Sequence, residues 1–151
     1  MQYERLSCWE LLDQVIDHSS RILLWGPPGT GKTHQATLLG RQGGQSVQSV
    51  ILTEESASVE LRGHFIPSRD GYKFHRGPAI IGWTNGVRLV LDEIDKASGD
   101  VMSLLLKICD DPKIARYTLP SGETVHPKEG FQVIATSNQE PEVLTDALRD
   151  R

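Results

Sequence analysis

Apolar positions recur along this chain with two alternating periods. Near the start, Ser7-Cys8-Trp9-Glu10 has the form of a capping box, and Trp9, Leu12, Val15 and Ile16 follow at helical spacing, which predicts a helix ending near Ser19-Ser20. The continuous run Ile22-Leu23-Leu24-Trp25 reads as a strand, and beyond the loop that follows it, Thr33 to about Gln42 reads as a second helix, broken by Gly43-Gly44. Val47 to Thr53 is the next strand, bounded by Ser and Glu. Strand, loop, helix, strand is the order of an α/β unit built on a parallel sheet.

Further along, Glu54 to Leu61 can begin a helix, but Gly63 interrupts it, and Phe65 to Phe74 reads as a hairpin around Pro67-Ser68-Arg69-Asp70-Gly71. Helix resumes with Pro78 at its first position and continues through Trp83, until Asn85-Gly86 turns the chain. Arg88 to Leu91 is a short apolar strand that leads into Asp92-Glu93. Ser98 to Asp110 has Val101, Leu104, Leu105 and Ile108 on one face, widened by Met102, Leu106 and Cys109, so this helix is expected to be mostly buried; Pro112 stops it. Tyr117 to Val125, turning at Pro120-Ser121-Gly122, reads as a second hairpin. A fourth strand, Phe131 to Thr136, ends in Ser137-Asn138, and Thr145 is expected to cap a final short helix.

The chemistry concentrates at the ends of these strands. Gly26-Pro27-Pro28-Gly29-Thr30-Gly31-Lys32-Thr33 lies between a strand and a helix, which is the context a phosphate-binding loop requires. A loop that wraps a triphosphate must turn its N–H groups inward, and glycine takes the necessary dihedrals without a Cβ clash. Lys32 is placed to reach the β- and γ-phosphates, the Thr33 hydroxyl to ligate Mg²⁺, and the following helix to point its positive end at the anion. Asp92 and Glu93 supply what the loop lacks: one carboxylate to hold a hydrated Mg²⁺ and a second to polarise the attacking water. Asn138 follows the fourth strand, where open α/β sheets place ligand-contacting groups, and could orient that water or touch the γ-phosphate. Asp95 reads as a loop or cap residue outside the active set.

Composition narrows the class without changing this picture. With 151 residues, 38% hydrophobic and 24% charged, the chain fits one globular domain with its own core. A net charge of −4 argues against a surface built throughout for DNA or anionic membrane. No apolar run approaches the roughly 20 residues that cross a bilayer, and Met1 to Arg5 lacks a signal layout, so a cytoplasmic protein is expected. Cys8 and Cys109 have no metal-ligand spacing and are expected to be reduced, and the five histidines show none either.

Taken together, Gly26 to Thr33, Leu89-Val90-Leu91-Asp92-Glu93-Ile94-Asp95, Ile134-Ala135-Thr136-Ser137-Asn138 and Ala147-Leu148-Arg149-Asp150-Arg151 resemble the Walker A, Walker B, sensor 1 and arginine-finger segments of the AAA+ ATPases. The two hairpins and His75-Arg76-Gly77-Pro78-Ala79 are similar to features of the MoxR and dynein-related branch. The resemblance implies a P-loop sandwich around a parallel sheet, and an ATP- and Mg²⁺-dependent ATPase that forms a ring, commonly a hexamer, and remodels a partner macromolecule. It implies an arginine given in trans, Arg151 first and Arg149 second, although the aromatic residue that follows the family's Asp-Arg is absent here. The family's fifth strand, helical lid and sensor 2 arginine have no counterpart in this sequence. A piece of a longer protein is therefore expected, with the strand before the phosphate loop left at the sheet edge. ATP is favoured over GTP partly because no Asn-Lys-x-Asp guanine signature occurs.

Two alternatives stay open on the residues alone. One is a nucleotide-dependent assembly module that does not hydrolyse, which an intact Glu93 and Asn138 count against. The other is a DNA-associated motor. Arg62, Arg69, Lys73 and Arg76, with His64 and His75, make the first hairpin basic, and Phe65, Tyr72 and Phe74 interleave with them. Such a hairpin could grip nucleic acid or an acidic peptide, but a solvated hairpin with one aromatic face packed down is the favoured reading.

Overall fold

A computed structural model describes residues 7–40 and 45–144. Gly43-Gly44, the Thr145 cap, Arg149 and Arg151 lie outside the described residues. Helix α1 (Cys8–Val15) begins with the expected capping box: Ser7 Oγ accepts from Glu10 N at 3.3 Å, and Glu10 Oε2 accepts from Ser7 N at 2.7 Å. Strand β1 (Arg21–Trp25), helix α2 (Lys32–Leu38), strand β2 (Val47–Ile51) and the short helix α3 (Ser58–Arg62) follow. The hairpin β3 (Gly63–Ser68) and β4 (Gly71–Arg76) precedes α4 (Pro78–Asn85), β5 (Arg88–Asp92) and α5 (Gly99–Ile108). A small hairpin, β6 (Tyr117–Thr118) and β7 (Thr124–Val125), leads to β8 (Gln132–Ser137).

The four long strands form one parallel sheet in the order β1-β8-β5-β2. Arg88 to Leu91 of β5 and Val133 to Ser137 of β8 are all buried, because these central strands are covered on both faces. Their side chains divide by the two-residue period. Leu89, Leu91, Val133 and Ala135 face the core under α3, α4 and α5, with Trp83, Leu104 and Leu105 at its centre. Val90 and Ile134 face the smaller core beneath α1 and α2, where they meet Leu12, Ile16 and Ala36. Strand β1 is an edge of this sheet among the described residues, as the sequence suggests.

Several element ends differ from expectation, each for a local reason. Helix α2 stops at Leu38 rather than near Gln42, since Leu39 is extended (φ −64, ψ 143) and Gly40 takes φ +65. The buried Arg88 donates from Nη1 to Ala36 O (2.9 Å) and Leu39 O (2.6 Å), taking carbonyls at the helix end, while its Nε donates to Gln132 Oε1 at 2.7 Å. Val15, expected in the core stripe, is 39% exposed, and Ile16 fills that place at the end of α1. Strand β2 ends at Ile51 because Thr53 N bonds to Ser56 Oγ in a turn. Helix α3 is confined to Ser58–Arg62 and gives way to the hairpin at Gly63. There φ is +110, and a Cβ would lie 2.1 Å from His75 O, so the junction requires glycine.

The first hairpin is mostly solvated, the reading favoured from the sequence, with one of its aromatics packed down. Phe65 and Phe74 pair edge to face across the strands, and Phe74 packs on the main core while Tyr72 is 77% exposed. Arg76 leaves the basic cluster: its Nη2 donates to both carboxylate oxygens of Glu123, at 2.6 and 2.8 Å, tying the first hairpin to the second.

Candidate active site

All the sequence-predicted site residues within the described chain gather at the carboxyl ends of β1, β5 and β8. Because the sheet is parallel, every strand delivers its following loop to the same end. The loop after β1 runs through Gly26, Gly29 and Gly31 at φ +149, +76 and +86, and a Cβ built on any of them meets nothing within 4 Å. Their freedom is therefore a matter of backbone conformation, and the space beside them is open to a ligand. The loop is pinned from inside: Gly26 N donates to Ser137 O at 3.2 Å, and Thr30 Oγ1 donates to Pro27 O at 3.0 Å.

Lys32, only 8% exposed, points its ammonium back into this loop. Nζ donates to Gly26 O (2.9 Å), Pro27 O (2.8 Å) and Asn138 Oδ1 (3.1 Å). It is thus held as a desolvated cation at the floor of a cavity of about 280 Å³, lined by Pro28, Thr33, Asp92, Glu93, Thr136 and Asn138 among others. Helix α2 begins at Lys32, so the free N–H groups of its first turn add to the positive field of Lys32 and the loop.

The carboxylates enter from β5, which ends at Asp92. Thr33 Oγ1 donates to Asp92 Oδ1 at 2.6 Å, and Thr136 Oγ1 donates to the same oxygen. The next residue, Glu93, takes φ 59 and ψ 50, the left-handed region, and is alone among the described non-glycine residues in having positive φ. That conformation costs roughly 1–2 kcal/mol and turns the chain sharply off the strand end. Glu93 Oε1 accepts from Asn138 Nδ2 at 3.3 Å, and Oε2 accepts from Lys96 Nζ at 2.7 Å. The hydrogen bond and charge of Glu93 hold the Lys96 ammonium above the ordinary lysine range.

Asn138 is therefore a bridge: its oxygen faces Lys32 and its amide nitrogen faces Glu93. This assignment of the two ends agrees with donor and acceptor on both sides. Its backbone N–H donates to Asp95 Oδ1 at 3.2 Å, so Asp95, in the turn after β5, supports the Asn138 backbone. Sequence reasoning also passed over Thr136 and Lys96. Thr136 did carry a signal, as a hydroxyl ending an apolar, buried strand, where an unpaired polar group would be costly. Lys96 carried none.

The residues fit a Mg²⁺-bound nucleoside triphosphate. Thr33 Oγ1 and the Asp92 carboxylate are adjacent hard oxygen donors of the kind Mg²⁺ takes, and Lys32 with the open glycine loop provides a cationic, unobstructed cradle for phosphate. A larger hollow of about 790 Å³ lies at the opposite end of the sheet. There Arg88 and Gln132 are bonded to each other, Arg88 to the end of α2, and Gln132 to Ile16 O and Ser19 O. Those polar groups hold helix ends in place.

A parallel sheet with a glycine-lysine-threonine loop after its first strand and paired acids after a central one defines the P-loop nucleotide-binding class. Within that class, residues 21–151 match the AAA domain (dynein-related subfamily), and the chain belongs to this family. It is 25% identical over 140 residues to the denitrification regulatory protein NirQ of Pseudomonas aeruginosa, covering 93% of this chain and 54% of that protein. It is 28% identical over 117 residues to protein NorQ of Paracoccus denitrificans, covering 78% of this chain and 43% of that one. The chain thus spans about half the length of these relatives. The solved structure of NtrX from Brucella abortus shares the fold, with a TM-score of 0.70 at 21% identity over 97% of this chain and 35% of that one.

Proposed function

We propose that this chain is the nucleotide-binding core of an AAA+ ATPase that hydrolyses ATP with Mg²⁺. The observation that carries the reading is one continuous set of hydrogen bonds joining three separate segments. Thr33 reaches Asp92, Asp92 and Glu93 N reach Thr136, and Glu93 reaches Lys32 through Asn138. In this reading Lys32 and the loop Gly26 to Gly31 hold the phosphates, and Thr33 and Asp92 hold the cation. Bound Mg²⁺ supplies neutralisation of phosphate charge. Glu93 accepts a proton from the attacking water, and Asn138, which already contacts both Glu93 and Lys32, keeps water and γ-phosphate in line.

The whole protein, in this proposal, assembles into a ring, commonly a hexamer, in which Arg151 or Arg149 of one subunit faces its neighbour's nucleotide. The family match and the likeness to NirQ and NorQ support it. A protein client, worked by the two hairpins that Arg76 and Glu123 join, and a cytoplasmic location belong to the same reading; among the described residues no helix is long and apolar enough to cross a membrane. Contact with nucleic acid through the Arg62–Arg76 hairpin is the lesser alternative, since Arg76 is engaged by Glu123.

The test is Glu93→Gln in the full-length protein. Mg²⁺-ATP should bind within about tenfold of wild type while steady-state phosphate release falls by about 10²–10⁴, the usual share of a general base. Phosphate release at the wild-type rate would remove Glu93 as the base and with it this mechanism.

A further inference from the structure

Where β5 and β8 part, a side chain takes over the work of the sheet. The two strands pair in register from Arg88↔Gln132 to Leu91↔Ala135; beyond that, Glu93 swings into its left-handed turn and its backbone N–H is directed at a hydroxyl. Glu93 N donates to Thr136 Oγ1 at 3.1 Å, and Thr136 Oγ1 donates its own proton to Asp92 Oδ1. Thr136 is 1% exposed, so water has almost no access to replace either bond. One hydroxyl therefore meets the carboxylate read above as the cation ligand and the backbone of the residue read as the base.

We propose that Thr136 is a positioning residue that orients Asp92 for the divalent cation and pins the turn that presents Glu93. The inference rests on the Mg²⁺-nucleotide reading of the site and adds a residue to it. Asp92 Oδ1 already accepts from Thr33 Oγ1 at 2.6 Å, and a second hydroxyl on the same oxygen fixes the carboxylate plane from the opposite strand. Partners of this kind, one bond removed from a metal, are typically worth 10–100-fold in metal affinity or activity. Valine has nearly the shape of threonine and fills the same space, yet it leaves Asp92 with one donor fewer and Glu93 N with no acceptor. Serine keeps the hydroxyl.

The experiment measures affinity of the full-length protein for a fluorescent ATP analogue, in EDTA and in saturating Mg²⁺, for wild type, Thr136→Val, Thr136→Ser and Lys32→Ala. Thr136→Val should bind as wild type in EDTA, where Lys32 and the loop act alone, and should lose 10–100-fold of the gain that Mg²⁺ confers. Thr136→Ser should recover most of that gain. A Val variant that keeps the full Mg²⁺-dependent gain overturns the proposal. So does one that weakens equally with and without Mg²⁺, because that pattern belongs to a general loss of structure. Lys32→Ala binding as tightly as wild type would instead overturn the reading of the whole cleft as a nucleotide site.

Discussion

Replacing Asn138 by aspartate changes two electrostatic contacts while keeping the size of the side chain. The present amide accepts from Lys32 Nζ at 3.1 Å through its oxygen and donates from its nitrogen to Glu93 Oε1 at 3.3 Å, so it links a cation to an anion without adding charge. A carboxylate at those distances would attract Lys32 and repel Glu93 by about 5 kcal/mol each at an effective dielectric constant of about 20. The two terms nearly cancel for folding. They do not cancel for nucleotide binding, because the neutralised ammonium no longer offers its charge to phosphate. Water at the cleft mouth, where the Glu93 side chain is 30% exposed, screens the effect to about 2–3 kcal/mol, or roughly 30–150-fold in Kd. Asn138→Ala is the matched control: Lys32 keeps its bonds to Gly26 O and Pro27 O, so nucleotide should bind within a few-fold. Turnover should nonetheless fall by about 10²–10³, as for loss of one preorganised donor. Calorimetric titration with Mg²⁺-ATP, alongside phosphate release, separates the two variants. If Asn138→Asp binds ATP as tightly as Asn138→Ala at neutral pH, the placement of Lys32 and Asn138 around phosphate is wrong.

Two further expectations concern the scaffold. Arg88→Met should destabilise the protein by about 2–4 kcal/mol, read as a lower denaturant midpoint at unchanged slope, because Ala36 O and Leu39 O lose a buried charged donor; a loss under about 0.5 kcal/mol would refute this. Asp100 accepts from Ser58 N at 2.9 Å, joining α3 to the start of α5, and hydrogen bonding from Ser58, first through its side chain and then its backbone, holds the carboxyl below the usual aspartate range. A depressed folded-state value means stability that is complete above the ordinary range and lost as pH falls through and below it. Wild type should therefore lose more stability than Asp100→Asn between about pH 5 and pH 2 in denaturant melts, and parallel losses would discount the contact.

How far the fold was legible depended on whether a signal was local. The capping box at Ser7, the proline start of α4, the α5 stripe and the two apolar central strands are each written within a few residues, and all appear as read. Helix α2 ends at Leu38, short of the expected Gln42: Gly40, at φ +65, is a stop written locally, whereas the Arg88 guanidinium that takes the Ala36 and Leu39 carbonyls comes from some 50 positions away, and nothing near Leu39 announces that contact. From the chain alone Arg76 groups with its basic neighbours for a related reason: Glu123 is distant in sequence and adjacent only once both hairpins have folded.

The candidate site divides along the same line. From the chain alone came the residue types and their loops: glycines wherever φ is positive around Lys32, a hydroxyl next to the lysine, two acids after a strand, and an amide after another. Local chemistry dictates those choices, so local sequence carries them. What tertiary structure decided is which groups touch. A parallel sheet in the order β1-β8-β5-β2 sets β8 between the phosphate loop and the acids, and that adjacency puts Asn138 between Lys32 and Glu93, Asp95 beneath Asn138, and Thr136 against Asp92. Hydrogen bonds act over about 3 Å, whereas the residues that make these are up to 106 positions apart, so only the folded chain brings them within reach of one another.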